Sequence, residues 1–554
     1  MKSKKILAAL LTATMLLSIA LVGCGGGSDD KKAAEGGKKE NSIVLQASDA
    51  KTLDPSKATD QMSHNAINAS FEGLTRSNKD KPEKAIAESW ECSKDELKWT
   101  FKLRDAKWSD GKPVTAKDFE YSWKRILNPK TKAQYASFMF VLKNGEKYYK
   151  GQAKAEEVGV KAKDDKTLEV ELENPIPYFL QLTSFPLLYP LRQDIVEASG
   201  DKFGSDPSKM VFNGPFVLDK WERASKIVAS KNPEYWDKDT VKLDKVTFQV
   251  AEEMTTRYQM FTNKQLDVTA IVGEYVQKMK DEAKSGKYNF IEETDPSSFY
   301  MIFNQNGEKA NKLLTNSKIR LAISLAIDRE AYVNKVYQRG FVSRGLIPVG
   351  MFAGEKVYRD IVPEPLKGVD KDPKALFIEG LKELKLDPDP SKYTLRYLPQ
   401  GSSTDDRAYA EFFQAQWKEK IGFNTKMDTA ADFSDYNNKK EKGDFEIAMS
   451  GWGADYNDPM AFVELFKTGN GNNNGKFSNA EYDQIVEKIL KESNMDKRIE
   501  LYKRAEEILV KEQAGMAPVF YKDKRMFTQK YVKGLQYPSF GGLYELKWAS
   551  VTGE

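Results

Sequence analysis

Histidine is almost missing from this chain: His64 is the only one in 554 residues. Triads built on a histidine base, and most zinc sites, need one to three histidines, so that chemistry has almost nothing to draw on. His64 itself, among polar neighbours, reads as a helix-surface or loop residue. Cysteine is nearly as scarce. Of the two present, Cys24 ends an apolar N-terminal run, which leaves Cys92 alone and no disulfide framework in the body of the chain. A Gly-x-Ser-x-Gly elbow is absent too, as is any internal repeat, and no cofactor is expected. The net charge is only +4 with 30% of residues charged. That balance lacks the clustered basic face a nucleic-acid partner needs.

What is present begins with an export segment. Lys2, Lys4 and Lys5 precede an apolar or small-residue run from Ile6 to Val22. A basic start and an apolar run mark a secretory signal. Leu21-Val22-Gly23-Cys24 resembles the lipobox of bacterial lipoproteins, where the cysteine is lipidated and becomes the mature N-terminus. Residues 1–23 are then the signal peptide, and 24–41, rich in Gly, Lys, Asp and Glu, a flexible tether. The competing reading is an uncleaved membrane anchor. Both readings place the body outside the cytoplasm, held at the membrane.

The length fits two or three domains, and the pattern along the body is mixed α/β. Strands are expected at Ser42 to Ala47, Leu97 to Arg104, Thr167 to Leu172, Val241 to Val250, Met301 to Asn304 and Thr394 to Leu398. Helices are expected at Ser63 to Leu74, Glu253 to Asn263, Asp405 to Lys420, Ala480 to Glu492 and Lys497 to Glu512. Thr115 and Asp118 make a capping box ahead of Phe119, Trp123 and Ile126. Phe179 to Leu191 is apolar and broken by proline.

One late stretch concentrates unusual residues: Met449-Ser450-Gly451-Trp452-Gly453-Ala454-Asp455-Tyr456-Asn457-Asp458-Pro459. Read by itself it is a strand running into a turn, since Asn457-Asp458-Pro459 is ordinary turn chemistry. Yet two glycines without Cβ would let another backbone approach the strand end, and Asp455 follows where a ligand's positive charge could be met.

Several motifs keep one order along the chain. Ala87 to Arg125, Thr52-Leu53-Asp54-Pro55, Asn213 to Leu218, Lys231 to Trp236 and Ile319 to Arg329 together resemble the extracellular solute-binding proteins of the peptide and nickel type, the family-five receptors of ABC importers. The resemblance covers the chain from about Ser42 to its end. It implies a periplasmic-binding-protein type II α/β fold with an extra domain, in which two lobes enclose ligand. Domain I would comprise about 42–71, 196–300 and 526–554, domain II 72–195, and domain III 301–525.

Within that family, Met449 to Pro459 looks most like the oligopeptide-binding members. The resemblance implies that Asp455 pairs with a peptide's α-amino group and that Gly451 and Gly453 offer main-chain groups to an extended peptide. It also implies that Thr59, Asp60 and Gln61 face them from the other lobe, that Tyr135 and Asn472 sit in the site with Tyr456, and that Phe433 and Trp452 wall side-chain pockets. Where some relatives carry an arginine this chain has Met449, and Lys440 is the nearest basic residue for a peptide carboxylate.

The chemistry is coherent without the analogy. One charge-assisted contact contributes roughly 1.5–3 kcal/mol and each neutral hydrogen bond about 0.5–1.5 kcal/mol. Together they approach the roughly 8 kcal/mol of a micromolar ligand. The expected partners are oligopeptides, an ABC permease with its ATPase subunits, and the membrane through lipid on Cys24, with the protein acting as a monomer and not as an enzyme. Other readings are the same fold with a dipeptide, nickel chelate, haem or oligosaccharide as cargo, a peptide or pheromone sensor, and a surface peptidase.

Overall fold

Two long strands carry the architecture. Tyr288–Phe303 and Met516–Gln529 pair antiparallel over most of their length, and an 11-stranded sheet is assembled outward from them. On one side lie Ile447–Gly453, Thr394–Leu398 and Asn424–Met427, the last two parallel to each other. On the other lie Val268–Thr269, Ser42–Ala47, Lys245–Val250, Lys226–Lys231 and Phe216–Glu222. The structure, a computed structural model, describes residues 41–552 except Lys309, Ser402, Asp432 and Asp455, and of Phe433 and Ser434 only the backbone. The signal peptide at 1–23, Cys24, the tether up to residue 40 and Asp455 therefore lie outside the described residues.

Two large hydrophobic cores flank the long strand pair. One gathers side chains from 43 to 268 and from 526 to 549; the other gathers side chains from 300 to 520. A small third core lies under helices Met254–Thr262 and Val276–Lys284. Between Thr294 and Ser298 the register of the long pair shifts. Pro296 sits in that gap and cannot donate to a ladder. Ile291, before the break, packs on the first core, and Phe299, after it, packs on the second. The chain thus changes cores at the first of two register shifts, the second falling between Phe299 and Tyr300. An ionic relay lies beside that first shift: Lys280 to Glu292 at 2.9 Å, Glu292 to Arg525 at 2.7 Å, Arg525 to Asp523 at 2.5 Å, and Asp523 to Arg339 at 3.3 Å.

A separate antiparallel sheet of four strands, Ala87–Cys92, Lys98–Leu103, Thr167–Glu171 and Val160–Asp164, is covered by helix Ala116–Leu127. The Asp118 carboxylate reaches back to the Thr115 N–H at 2.8 Å and so fixes the start of that helix. Phe119, Trp123 and Ile126 are buried beneath it.

Strands Ser42–Ala47 and Thr394–Leu398 have the expected bounds. The helix expected from Ser63 to Leu74 spans Gln61–Ser70 instead. Asp60 caps it early, and the chain must leave it before Gly73, where a Cβ would stand 2.3 Å from the Thr183 carbonyl oxygen. His64 is also not a surface residue. It is 5% exposed, with Nε2 3.3 Å from the Ala58 carbonyl and its ring edge-on to Phe185. Among the described residues, no helix is long and apolar enough to cross a membrane.

Candidate functional site

Strand Ile447–Gly453 ends with one edge open. Its inner edge pairs with Ser297 to Phe303 throughout. Its outer edge meets Thr394–Leu398 only at Ile447 and Ala448. Beyond Ala448, no described strand covers it. In an antiparallel ladder the N–H and C=O of alternate residues point the same way. Ala454 N–H donates to the Pro296 carbonyl at 2.7 Å, so Trp452 and Ser450 also face inward. Met449, Gly451 and Gly453 then face outward. The Tyr436 hydroxyl donates to the Met449 carbonyl, the first of these outward groups, while Gly451 and Gly453 present theirs to the open edge.

Three buried polar groups around this strand end have no hydrogen-bond partner among the described residues: the Ser298 hydroxyl, the Trp452 indole N–H and the Asn457 amide nitrogen. Ser298 and Trp452 stand opposite each other on the ladder. Buried donors left unpaired are rare enough in folded proteins to mark a place where another acceptor belongs. Gly451 has a further reason to lack a Cβ: one built there would stand 2.7 Å from the Phe299 ring across the strand. At Gly453 the nearest atom would be the Ser297 hydroxyl at 3.2 Å.

The turn beyond Asp455 is fixed at every residue. The Tyr456 hydroxyl donates to Glu464 at 2.9 Å, and Asn457 accepts from the Phe352 N–H at 2.8 Å. Asp458 accepts from the Met460 N–H at 2.9 Å and from the Tyr502 hydroxyl at 2.5 Å. Burial pushes the Asp458 carboxyl up, against the opposing pull of Arg498 at 3.7 Å. The Tyr456 ring lies flat on Tyr178, with centroids 4.2 Å apart and planes 9° from parallel.

At the start of helix Gln61–Ser70, the Asp60 carboxylate is engaged by its own helix, accepting from the Ser63 N–H at 2.9 Å and hydroxyl at 2.6 Å. Thr59 beside it is half-buried and Gln61 exposed. Tyr135 begins an aromatic row: its ring is 5.3 Å from Phe138, Phe138 is stacked 5.5 Å from Phe185, and Phe185 is 5.2 Å from His64. Phe185 and Tyr456 line a cavity of about 30 Å³ with Asn68, Gln181, Asn457 and Phe540. That is room for a water or two.

The Lys440 ammonium is 5.2 Å from the Tyr436 ring, and burial lowers its pKa. Lys440 therefore lies one side chain away from the open edge. Asn472 is exposed in a turn, its N–H bonded to Asn470 at 2.8 Å. Its neighbour Asn473 is the buried one, donating to the Phe477 carbonyl at 2.7 Å. Phe433 starts helix Phe433–Glu441, and its side chain lies outside the description.

Sequence reasoning missed Tyr178, Phe185, Tyr436 and Phe540. Tyr178 and Phe185 lie in or beside the proline-broken apolar stretch, whose composition signals core and turn alike. No cluster of metal-ligating side chains occurs among the described residues.

The profile described as "Bacterial extracellular solute-binding proteins, family 5 Middle" matches residues 81–474. The chain is 34% identical over 548 residues to the dipeptide-binding protein DppE of Bacillus subtilis, covering 96% of this chain and 97% of the relative. It is 33% identical over 551 residues to the oligopeptide-binding protein OppA of the same organism, covering 97% and 98%. The solved structure of Listeria monocytogenes OppA bound to peptide superposes with a TM-score of 0.71 at 32% identity, over 93% of this chain and all of that one.

Proposed function

Since the chain belongs to the bacterial extracellular solute-binding proteins of family 5, a non-catalytic family of binding components, we propose that it captures oligopeptides by their main chain and α-amino group and delivers them to an ABC permease. The observation that carries this reading is the open outer edge of Ile447–Gly453, which ends two positions before Asp455 in the sequence. An extended peptide adds to such an edge as one more strand, taking hydrogen bonds that every peptide can make. Its ammonium meets Asp455, and the Trp452 indole N–H supplies a further donor. Lys440 offers a positive charge near the edge for a peptide carboxylate and so limits length.

In this reading, the core built from 43–268 and 526–549 and the core built from 300–520 are the two lobes of the trap, and 72–195 is the additional domain. Cys24 carries the lipid that holds the receptor on the outer face of the membrane. The relatives named above bind dipeptides or oligopeptides by their own descriptions. Tolerance of many sequences follows when side-chain pockets are roomy and wet.

Native mass spectrometry of the purified full chain incubated with a mixed peptide library tests the reading. The expected result is a one-to-one complex with peptides recovered intact. Peptide fragments, or a retained non-peptide solute that excludes peptides, would overturn it.

A further inference from the structure

Tyr178 and Tyr456 come from opposite sides of the molecule. Tyr178 packs on the first core, and the turn carrying Tyr456 is fixed in the second. Among the described residues, theirs is the only aromatic ring pair that joins the two cores, and Tyr456 is the only half-buried side chain packed on both.

Each partner is held rigidly by its own side. Tyr178 follows Pro175 and Pro177, which fix two φ angles and restrict the residues before them. Next to it, Phe179 is fully buried, 5.5 Å from Trp99, 6.3 Å from Phe101 and 6.4 Å from Trp123. Phe179 is thus anchored under the four-stranded sheet while Tyr178 projects from it. On the other side, the bonds of Tyr456, Asn457 and Asp458 to Glu464, Phe352 and Met460 fix the turn. The stack is bordered by a cavity of about 530 Å³ between 80–82 and 177–181 on one side and 352–355 and 457–458 on the other. Close packing does not hold the two sides together there. The rings do.

We propose that Tyr178 is a positioning residue of the binding site. Its ring seats Tyr456, and with it the turn 456–458, only when the two cores are closed on each other. This rests on the peptide reading above and gives the additional domain a part in it. Tyr178 lengthens residence by holding the loaded turn in place, so it acts on release and leaves encounter unchanged. An offset aromatic stack contributes enough to change release by about 3- to 10-fold.

The test compares Tyr178→Leu and Tyr178→Phe in the full chain, both checked for wild-type melting. Amide hydrogen exchange at 456–459 is followed without and with peptide, and stopped-flow fluorescence follows release of a labelled peptide. Expected for Tyr178→Leu are faster exchange at 456–459 and release accelerated by about 3- to 10-fold, with the association rate unchanged. Tyr178→Phe, which keeps the ring and loses the hydroxyl's hydrogen bond to Tyr456, recovers most of both. If Tyr178→Leu leaves exchange and release at wild-type values, the proposal is overturned although peptide binding stands. If wild-type protein binds no peptide while exchange at 456–459 still follows the ring, the peptide reading fails and the stack's coupling of the two cores survives.

Discussion

A single backbone N–H decides whether the strand-addition geometry is correct. Gly453 directs its N–H away from the Ser297–Phe303 ladder, so proline there removes a donor without breaking a sheet bond. Gly453→Pro should weaken peptide binding by about 3- to 10-fold, the worth of one neutral hydrogen bond, with little change in melting temperature. Calorimetry that finds unchanged affinity would remove this edge from the site. Gly451 is a poorer probe, because its missing Cβ also makes room for Phe299. That second cause was not legible in the sequence. The motif announced two glycines beside a tryptophan, but which of them spares a ligand and which spares a neighbouring ring depends on the cross-strand partner. Asp60 carries a similar lesson. Its position follows from the motif before it, yet its carboxylate is taken up by Ser63.

At the scale of elements, periodicity and capping residues were enough to place the helices and strands named from the sequence, all but the strand at Met301 to Asn304, to within a few residues of their bounds, because each signal is local. Two features were not local. Met301 to Asn304 is only the end of the sixteen-residue strand Tyr288–Phe303, whose earlier half is polar and half-exposed and has no apolar alternation to betray it. Helix Gln61–Ser70 is buried along nearly its whole length, His64 included, so polar neighbours in sequence did not mean solvent in space. Burial holds the His64 imidazole below its usual pKa of 6.5. The unfolded chain therefore takes up a proton as pH falls below about 6.5, while the folded chain does so only at lower pH. In that window the unfolded state binds more protons, so stability declines as pH falls. Urea titrations at pH 7 and pH 5.5 should show a steeper acid loss for wild type than for His64→Gln, by at most about 1.4 kcal/mol per pH unit. Equal losses would mean that His64 titrates normally in the fold.

For the molecule as a whole, the ordered motifs conveyed a full-length receptor scaffold, whereas closure was hidden. In the proposed trap it would rest on contacts between segments hundreds of residues apart, such as Tyr178 with Tyr456 and Asp523 with Arg339. The relay Lys280–Glu292–Arg525 lies just before the register break where the chain changes cores, and Asp523 carries it on to Arg339. Glu292→Gln removes the charge that both cations share, and small-angle scattering of the peptide-free variant should show a larger radius of gyration than wild type at low salt, a gap that high salt narrows. An unchanged radius would confine the relay to local stability. The central claim, however, is recognition of the peptide ammonium at the end of an open strand edge. Isothermal calorimetry of wild type and Asp455→Asn against one peptide, with a free and with an acetylated N-terminus, tests it most directly. The account predicts that Asp455→Asn weakens the free peptide by about 10- to 150-fold, the worth of a charge-assisted contact, and hardly alters the acetylated one. Equal losses for both peptides, or none for either, would contradict it.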